Sequence, residues 1–337
     1  MQNKINIREI ARICGVSPAT VSRAMNKNAP VSEETRKKIE QAIQNTGYVF
    51  QSPPISRNRK KVRTIGVFAP VLGHAFFQFV LDQLHALVAA RGDYMIILPE
   101  KAPETVEHVG KMGLDGIVLL SEETSNNVIE SIQKMNISTV ICGALSLGRL
   151  CPAVHVDDLA AAYDGTNYLL GLGHRKIGFI CDSPRSISSG FQRMAGSRKA
   201  MEDSGLAFQE DCVFNRSNDY ASGYDGAAAL IKKHPELTAI FAHSDAAAIG
   251  AMAALMDRGL SVPEDISVLG FDDIHLGEKF RPRLTCVSQP IHDIVLQSLD
   301  LLYAGMEQTA WEVPPTITLP HSITIRDSCQ PPATERV

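Results

Sequence analysis

The 337-residue chain lacks the features of an exported, membrane-bound or metal-centred protein. It contains no run of about 18 apolar residues, so no membrane span is expected. Its first residues, MQNKINIREIARIC, lack the apolar core of a secretory signal, which predicts a cytoplasmic location. Its seven cysteines stand singly, without a CxxC pair or a histidine at metal-ligand spacing. We therefore expect reduced, mostly buried thiols and no metal site.

Sequence motifs for catalysis are also missing. The chain shows no phosphate-binding glycine loop and no HExxH, GxSxG or catalytic-triad pattern. The sequence therefore predicts a protein that is not an enzyme and that needs no cofactor.

Charge is distributed unevenly along the chain. Residues 1–63 carry 13 Lys and Arg against 4 Asp and Glu, a balance of +9. The remainder then carries 33 − 13 = 20 basic and 37 − 4 = 33 acidic residues, a balance of −13. A basic head on an acidic body indicates that only the head meets a polyanion. A charged stretch alone is usually a solvated surface, so this interpretation needs a motif to support it.

Residues 5–46 have the pattern of three short helices. Asn6 can cap the first helix, with Glu9 completing a capping box. Ser17 and Ser32 can cap the second and third. A compact arrangement of three helices in which the second is presented to DNA is typical of a helix-turn-helix domain. A plain three-helix bundle would use the same caps and spacing.

The second predicted helix has two distinct faces. Val21, Ala24 and Met25 follow helical spacing and should pack inward on the other two helices. The residues expected to face DNA are Pro18, Ala19, Ser22 and Arg23.

Each outward position has its own recognition chemistry. Arg23 can donate two hydrogen bonds to guanine O6 and N7, and Ala19 can touch a thymine methyl. Thr20, Arg8 and Lys27 are better suited to phosphate contacts, which set register and carry no base information.

From Thr64 onward, short apolar runs alternate with amphipathic stretches. Continuous apolar runs of this length, interleaved with helices, predict parallel strands that are buried on both faces. The predicted strands are Ile65–Ala69, Met95–Leu98, Gly116–Leu120, Thr139–Cys142, Ile177–Cys181, Ala239–Ala242 and Ser267–Phe271. The similar segments IGVF (65–68) and IGFI (177–180) each open a series, which predicts two α/β lobes. A small-molecule site would lie between the lobes, at the carboxyl ends of the strands.

These patterns define the expected fold class and domain organisation. We expect an all-α helix-turn-helix head at 1–48 and a basic hinge at 49–63. A two-lobed α/β body with parallel sheets should occupy 64–330, followed by a tail at 331–337.

Several motifs, all in the same order, resemble the LacI/GalR family of bacterial transcription regulators. The head carries IREIARICGVSPATVSRAMNKNAPVSEETRKKIEQAIQNTGY. The body carries IGVFAP, HVDDLAAAYDGTNYLLGLGHRKIGFI, GFQRMAGSRKAM, IFAHSDAAAIGAMAAL and VPEDISVLGFDDI. The resemblance covers about residues 5–328 and implies a body like a periplasmic sugar-binding protein. It further implies a homodimer that binds a pseudo-palindromic operator. A sugar or nucleoside effector would shift the population between a state that binds DNA and one that does not.

The resemblance also implies which residues bind the effector. Arg193 begins the family's R-x-x-G pattern, Asp272 lies in GFDD, and Ser189 supplies a hydroxyl. A carboxylate acceptor and a forked donor suit ligand hydroxyls. Without the resemblance, Arg193 would be interpreted as part of a surface salt bridge and Asp272 as a turn residue or helix cap.

Other expected pocket residues depart from the family or rest on loop position. Ser244 stands where the family usually has asparagine, and Asp157 is the first of an Asp-Asp pair where Asp-Asn is frequent. Asn218 stands where an aromatic often stacks on the ligand. His74, in a predicted strand-to-helix loop, can bond a ligand hydroxyl or simply satisfy backbone groups.

The hinge departs furthest from the family. Members use a leucine there as a minor-groove wedge, and Arg57 stands at that position, after Pro53 and Pro54. The basic hinge is therefore expected to stay flexible and to bind phosphates or a narrow minor groove, with Arg57 among its contacts.

Two other functions compete with that of a regulator. A periplasmic receptor is disfavoured by the missing signal and the basic head, and an α/β enzyme by the missing motifs. A gel shift at low salt with operator-bearing DNA separates all three.

Overall fold

The computed structural model describes most of the chain. The described residues are 7–25, 31–46, 62–70, 73–99, 105–120, 126–146, 148, 150–307 and 313–333. The chain divides into a head, Met1–Lys61, and a body, Val62–Val337. Within the described residues, no helix is both long and apolar enough to span a membrane. The hinge bounds predicted at 49–63 lie mostly outside the described residues.

The head consists of three helices, as predicted. They are α1 (Ile7–Cys14), α2 (Pro18–Met25) and α3 (Glu33–Thr46). The Ser17 hydroxyl accepts the Thr20 N–H at 3.1 Å, and the Ser32 hydroxyl accepts the Thr35 N–H at 3.4 Å. These contacts confirm two of the predicted N-caps, because each satisfies a donor that the first helical turn leaves unpaired. The predicted Asn6 cap lies outside the described residues.

A small apolar core holds the three head helices together. Ile10, Val21 and Ile39, one from each helix, are fully buried. Ala24 is buried and Met25 half-buried, which confirms the inward face predicted for α2. The opposite face of α2 is therefore left for contacts outside the head.

The body is built from nine helices and twelve strands in the residues that the structure describes. The helices are α4 (Ala75–Ala90), α5 (Thr105–Met112), α6 (Asn126–Lys134), α7 (Asp158–Gly171), α8 (Arg193–Asp203), α9 (Tyr220–Lys233), α10 (Asp245–Met256), α11 (His275–Lys279) and α12 (Ile291–Glu307). The strands are β1 (Thr64–Ala69), β2 (Tyr94–Pro99), β3 (Gly116–Leu119), β4 (Ser138–Cys142), β5 (Ala153–Val156), β6 (Ile177–Asp182), β7 (Val213–Arg216), β8 (Ala239–Ala242), β9 (Ser267–Asp272), β10 (Thr285–Ser288), β11 (Thr316–Leu319) and β12 (Ser322–Thr324). A π-helical turn, Ile187–Gln192, leads directly into α8.

Two six-stranded sheets form the two predicted lobes. The N-lobe sheet has the order β11-β5-β4-β3-β1-β2 and is parallel throughout. The C-lobe sheet has the order β12-β10-β9-β8-β6-β7, and only its edge strand β12 runs antiparallel. Central strands such as β3 and β8 are buried at every residue, as their apolar runs predict.

The edge strand β2 contradicts the prediction of burial on both faces. Tyr94 is 70% exposed, and Ile96 and Ile97 are 40% and 41% exposed. The reason is its place at the end of the sheet order, where it has a partner strand on one side only.

The chain passes between the lobes three times. It leaves the N-lobe after β5, returns after β10 to form α12, and crosses again between β11 and β12. Five buried residues of α12 pack into the core of the N-lobe: Ile291, Ile294, Val295, Leu299 and Leu302. These crossings connect the lobes, and a cleft lies between them where the strands end.

Candidate functional site

A cavity of about 260 Å³ lies between the lobes, at the position predicted from the strand pattern. Its walls come from residues at or just beyond the carboxyl ends of strands in both sheets, where parallel α/β folds bind ligands. The N-lobe contributes Pro70, His74, Phe76, Phe77, Leu120, Gly143 and Ala144. The C-lobe contributes Asp182, Ser186, Ser188, Ser189, Arg193, Ser217, Asn218, Ser244 and Asp272.

Five of the six predicted effector residues line this cavity: His74, Ser189, Arg193, Ser244 and Asp272. The prediction for Asp157 needs correction. Its exposed side chain caps α7 by accepting the Ala160 N–H at 2.9 Å. The buried carboxylate is that of the next residue, Asp158, because the chain turns into α7 directly after β5.

Arg193 is a buried cation that several groups hold in place. Its Nε donates to Asp158 Oδ1 at 2.7 Å, and its Nη1 donates to the His243 carbonyl at 2.6 Å. Its Nη1 also lies 3.5 Å from Asp272 Oδ1, and its Cζ lies 3.6 Å from the centre of the Phe271 ring. Burial disfavours its charge, but the carboxylates of Asp158 and Asp272 outweigh that effect and raise its pKa. The guanidinium is therefore charged and fixed in orientation.

Asp272 is the acceptor opposite this cation. It ends β9 with a left-handed backbone (φ 114°), which is uncommon for a residue with a side chain. The Gln289 amide donates to its Oδ1 at 2.7 Å. Burial raises the pKa of Asp272 to about 6, although the charge of Arg193 opposes the shift. Asp272 can therefore change its protonation state near neutral pH.

A hydroxyl cluster covers another part of the wall. Ser189 donates to Asp182 Oδ2 at 2.7 Å and lies 2.6 Å from the Ser186 hydroxyl. Ser189 lies in the π-helical turn before α8 and Ser186 directly precedes that turn, and both hydroxyls lie close to Asp182, which ends β6. Sequence reasoning missed Asp182 and Ser186, although Asp182 directly follows the predicted strand Ile177–Cys181.

One contact joins the two walls of the cavity. His74 Nε2 lies 3.0 Å from the Asn218 carbonyl, to which the Ser244 hydroxyl also donates at 2.7 Å. A carbonyl oxygen only accepts, so Nε2 carries a proton, and in the neutral ring Nδ1 is then an acceptor. His74 Nδ1 and Asn218 Oδ1 are both buried without a hydrogen-bond partner. Two unsatisfied buried acceptors favour a ligand that brings donors, such as hydroxyl groups.

The apolar part of the wall comes from the N-lobe. Phe76 and Phe77 pack edge to face, with ring centroids 5.5 Å apart, and both line the cavity. Asn218 occupies the position where the resemblance implied an aromatic, and Tyr220 is 49% exposed and absent from the lining. The signal for the phenylalanines was their place two and three residues after His74, where the predicted strand-to-helix loop leads into α4.

In the head, five of the residues predicted to contact DNA lie on α2, and Arg8 is exposed on α1. Pro18, Ala19 and Arg23 are exposed, and Thr20 and Ser22 are half-buried. The Thr20 hydroxyl lies 2.9 Å from that of Ser17, so it also belongs to the helix cap. Lys27 and Arg57 lie outside the described residues.

A helical head with an exposed second helix, joined to a two-lobed body with a polar cleft, defines a ligand-responsive DNA-binding regulator. Residues 6–51 match the profile "Bacterial regulatory proteins, lacI family", and residues 166–329 match "Periplasmic binding protein-like domain". The chain is 30% identical over 309 residues to the HTH-type transcriptional repressor CytR of Escherichia coli, covering 89% of both chains. The chain belongs to the lacI family of bacterial regulatory proteins.

Another relative and two solved structures match over 80–96% of the chain. Catabolite control protein A of Priestia megaterium is 29% identical over 330 residues, covering 96% of this chain and 99% of that protein. The structure of a CelR–cellobiose complex superposes with a TM-score of 0.70 at 25% identity, over 96% of this chain and 100% of that one. A LacI family regulator of Enterococcus faecium with bound ribose superposes with a TM-score of 0.72 at 25% identity, over 80% and 99% of the two chains.

Proposed function

We propose that this regulator is a repressor whose affinity for operator DNA is set by a hydroxyl-rich small molecule, a sugar or a nucleoside, bound between the lobes. The observation that carries the proposal is the composition of the cavity wall. A fixed guanidinium, a buried carboxylate and two unsatisfied acceptors converge on one space of about 260 Å³. The proposal places this activity in the cytoplasm, where operator DNA lies.

Each wall group has a part in binding such a ligand. Arg193 donates to ring or hydroxyl oxygens, and Asp272, His74 Nδ1 and Asn218 Oδ1 accept from hydroxyls. Phe76 and Phe77 supply an apolar face against which a sugar ring or a base can rest. The ligands named for two similar structures, cellobiose and ribose, support this chemical class. We propose binding without turnover, as the regulator names of the relatives suggest.

The head would supply specificity for DNA. Arg23 reads a guanine, Ala19 a thymine methyl, and Pro18 and Ser22 complete the surface that enters the major groove. Thr20, and beyond the described residues Lys27 and Arg57, would contact phosphates. A homodimer would present two heads to a pseudo-palindromic operator. The exposed apolar strand β2 supports self-association through the N-lobe.

The test begins with a thermal-shift screen of sugars, nucleosides and purines on the full-length protein. An effector present at 100 times its Kd should add about 2.7 kcal/mol to the free energy of unfolding. The identified effector is then titrated into an operator gel shift with wild-type protein and the Arg193→Ala variant. Arg193→Ala should bind operator but ignore the effector, because the remaining buried carboxylates lose their counter-charge.

Arg198→Ala is the matched control. Arg198 lies on the same helix, but its side chain is partly exposed and pairs with Glu210. This variant should respond to the effector as the wild type does. A normal response in Arg193→Ala, or a failure of the folded wild type to bind any operator at low salt, would contradict the proposal.

A further inference from the structure

A second group of reactive side chains lies in the C-lobe, outside the cavity. Asp211 and Cys212 belong to a 3-10 turn, Glu210–Cys212, that leads into β7. His234 follows the last residue of α9. One carboxylate oxygen, the thiol sulfur and one ring nitrogen of these three residues all lie within 4.8 Å of one another.

The His234 ring has an acidic residue beside each of its nitrogens. Its Nδ1 lies 3.4 Å from Glu236 Oε1. Its Nε2 lies 3.1 Å from the Asp211 carbonyl and 3.4 Å from Asp211 Oδ2. A neutral ring can donate from one nitrogen only, so the other would direct its lone pair at oxygen atoms. A second proton or a bound metal ion at that nitrogen removes the conflict.

The orientation of the ring distinguishes the two nitrogens. In the structure, Nε2–H donates to the Asp211 carbonyl at 3.1 Å, because a carbonyl oxygen only accepts. A metal ion at Nε2 would replace that proton, and Nδ1–H would then donate to Glu236. A carboxylate on the far nitrogen is the common way in which proteins orient a metal-binding histidine. Glu236 therefore occupies the position of a residue that positions a ligand, next to but outside the three donors.

Electrostatics at the thiol also favour a divalent cation. Cys212 is 5% exposed, and its sulfur lies within 4.8 Å of a carboxylate oxygen of Asp211. That negative charge attracts a cation, which binds the thiolate and displaces its proton. Lys233 Nζ lies 3.4 Å from Asp211 Oδ2 and partly neutralises it. The Lys233 side chain is 58% exposed, so it can move into solvent when a metal ion takes its place.

We propose that Asp211, Cys212 and His234 form a zinc-binding site. A donor set of one thiolate, one imidazole and one carboxylate matches Zn²⁺, whereas Ca²⁺ and Mg²⁺ prefer oxygen ligands alone. Three protein ligands leave the fourth tetrahedral position to water. Zinc–ligand bonds of about 2.0–2.3 Å require small side-chain rotations that draw the three donors closer together.

The site would brace the element that carries part of the effector cavity. Its ligands lie at the start of β7 and at the end of α9, which are consecutive in the chain. The loop that joins β7 to α9 carries Ser217 and Asn218, both of which line the cavity. Zinc would therefore link the start of β7 to the end of α9, at the end of this unit away from the loop that lines the cavity. It should raise the thermal stability of the protein without any effector present.

The experiment measures zinc binding directly on full-length, reduced, untagged protein. Zn²⁺ alone is titrated in competition with a chromophoric chelator, and Co²⁺ is used in parallel to detect thiolate coordination by absorption. We expect one Zn²⁺ per chain and a thiolate–Co²⁺ charge-transfer band. Cys212→Ser should remove the band, and both Cys212→Ser and Asp211→Asn should weaken zinc binding at least tenfold.

His321→Gln is the control, because His321 pairs with Asp164 at 2.9 Å as another histidine–aspartate pair. It should bind zinc as tightly as the wild type. The proposal fails if the wild type binds no zinc at one equivalent, or if both site variants keep its affinity. Should Cys212→Ser not fold, Asp211→Asn decides alone, since the Asp211 side chain is 52% exposed and Asn keeps its shape. Effector binding is not part of this readout, so the two proposals stand or fall separately.

Discussion

Arg193 shows how a single residue can prepare a site before its ligand arrives. Its guanidinium lies between two carboxylates, Asp158 and Asp272, and above the Phe271 ring. Such a buried cation is stable only while its partners remain. A ligand therefore meets a donor whose orientation is already fixed, and it loses less entropy on binding.

The raised pKa of Asp272 predicts a pH-dependent effector affinity. Asp272 titrates near pH 6 because burial disfavours its charged form, and a ligand hydroxyl donates best to the ionised carboxylate. Below pH 6, a proton then competes with the ligand. Affinity should fall about tenfold per pH unit there, since one proton is linked to binding. Calorimetric titration of the effector from pH 7.5 to 5.0 measures this slope.

Asp272→Asn is the control for that slope, because its amide does not titrate. Its affinity should be lower than that of the wild type at pH 7.5, and the difference should shrink as pH falls. The pH dependence of folding stability has the opposite sign to that of effector affinity. A folded-state pKa raised from 3.8 to about 6 makes Asp272 cost stability as pH rises through that window. An equal pH slope in the two proteins would show that Asp272 is not the linked group.

Arg23 is the residue whose loss should alter operator choice. It is exposed on the outward face of α2, where it can donate two hydrogen bonds to guanine. Arg23→Ala should cost about 1–3 kcal/mol per half-site and leave salt-sensitive, non-specific binding. Competition gel shifts between operator and random DNA measure the ratio. Arg12→Ala serves as the control, since Arg12 is an exposed arginine of α1 that pairs with Glu9. If Arg23→Ala keeps the wild-type ratio of operator binding to random-DNA binding, Arg23 does not contact bases.

At the scale of elements, the sequence predicts strands well where they are buried and apolar. All seven predicted strands exist, with bounds that differ by at most a residue or so at each end. The missed strands β5, β7, β10, β11 and β12 are only three or four residues long, and they contain polar residues such as His155, Asn215 and Ser288. Their pairing comes from neighbouring strands that are distant in sequence. The sequence pattern of one strand carries no information about which distant strands it pairs with.

The cavity was predictable in place and only partly in composition. The strand pattern located it, and the family motifs pointed to Arg193, Asp272 and Ser189. Asp158 and Asp182 were missed because side-chain direction at the end of a strand depends on how the chain turns into the next helix. In Asp-Asp at 157–158, the first residue caps α7 and the second is buried.

Gly196 controls how closely α7 and α8 pack. A Cβ atom there would lie 2.1 Å from the Leu159 carbonyl oxygen, which is backbone and cannot rotate away. Gly196→Ala should therefore cost about 1–3 kcal/mol of stability. It should also weaken effector binding, because separating the helices disturbs the Arg193–Asp158 pair. Denaturant unfolding and calorimetry measure the two effects.

Gly171→Ala is the matched control on α7. Beyond its chain neighbours and the adjacent backbone of α7, a Cβ atom at Gly171 would meet no heavy atom of the described residues within 4 Å, so alanine should raise helix stability by up to about 1 kcal/mol. If Gly196→Ala unfolds at the same denaturant concentration as the wild type, close packing of the two helices is not a constraint.

The hinge remains a prediction from sequence, because residues 47–61 lie outside the described residues. Arg57 stands where the family resemblance implies a wedge leucine, so we expect electrostatic contact and little kinking of the DNA. Affinity should then change only gradually when the half-sites are moved apart one base pair at a time, and it should fall steeply with salt. Gel shifts on such a spacing series, together with a bending assay, test this. A single sharp optimum with a strong central kink would instead point to Ile55, the apolar residue between Pro54 and Arg57, as a substitute wedge.

At the scale of the whole molecule, β2 predicts how two chains associate. It is an edge strand with Tyr94, Ile96 and Ile97 exposed, and such apolar edges are normally covered by a partner. Ile96→Asp should shift the protein from dimer towards monomer and lower operator affinity. Sedimentation at micromolar concentration measures the state, and we expect dimers and not tetramers for the wild type. Ile325→Asp, at another exposed isoleucine, should leave the dimer intact; equal sedimentation of both variants would exclude β2 from the interface.

The three passages between the lobes also determine when each lobe can be completed during translation. When a ribosome has completed β5, the N-lobe still lacks α12 and β11, which are made only after β10. Its core misses five buried residues of α12 during the whole synthesis of residues 157–290. The C-lobe in turn waits for β12, close to the end of the chain. Both lobes therefore become complete almost together, and until then the nascent body exposes apolar surface that chaperones can bind and proteases can cut.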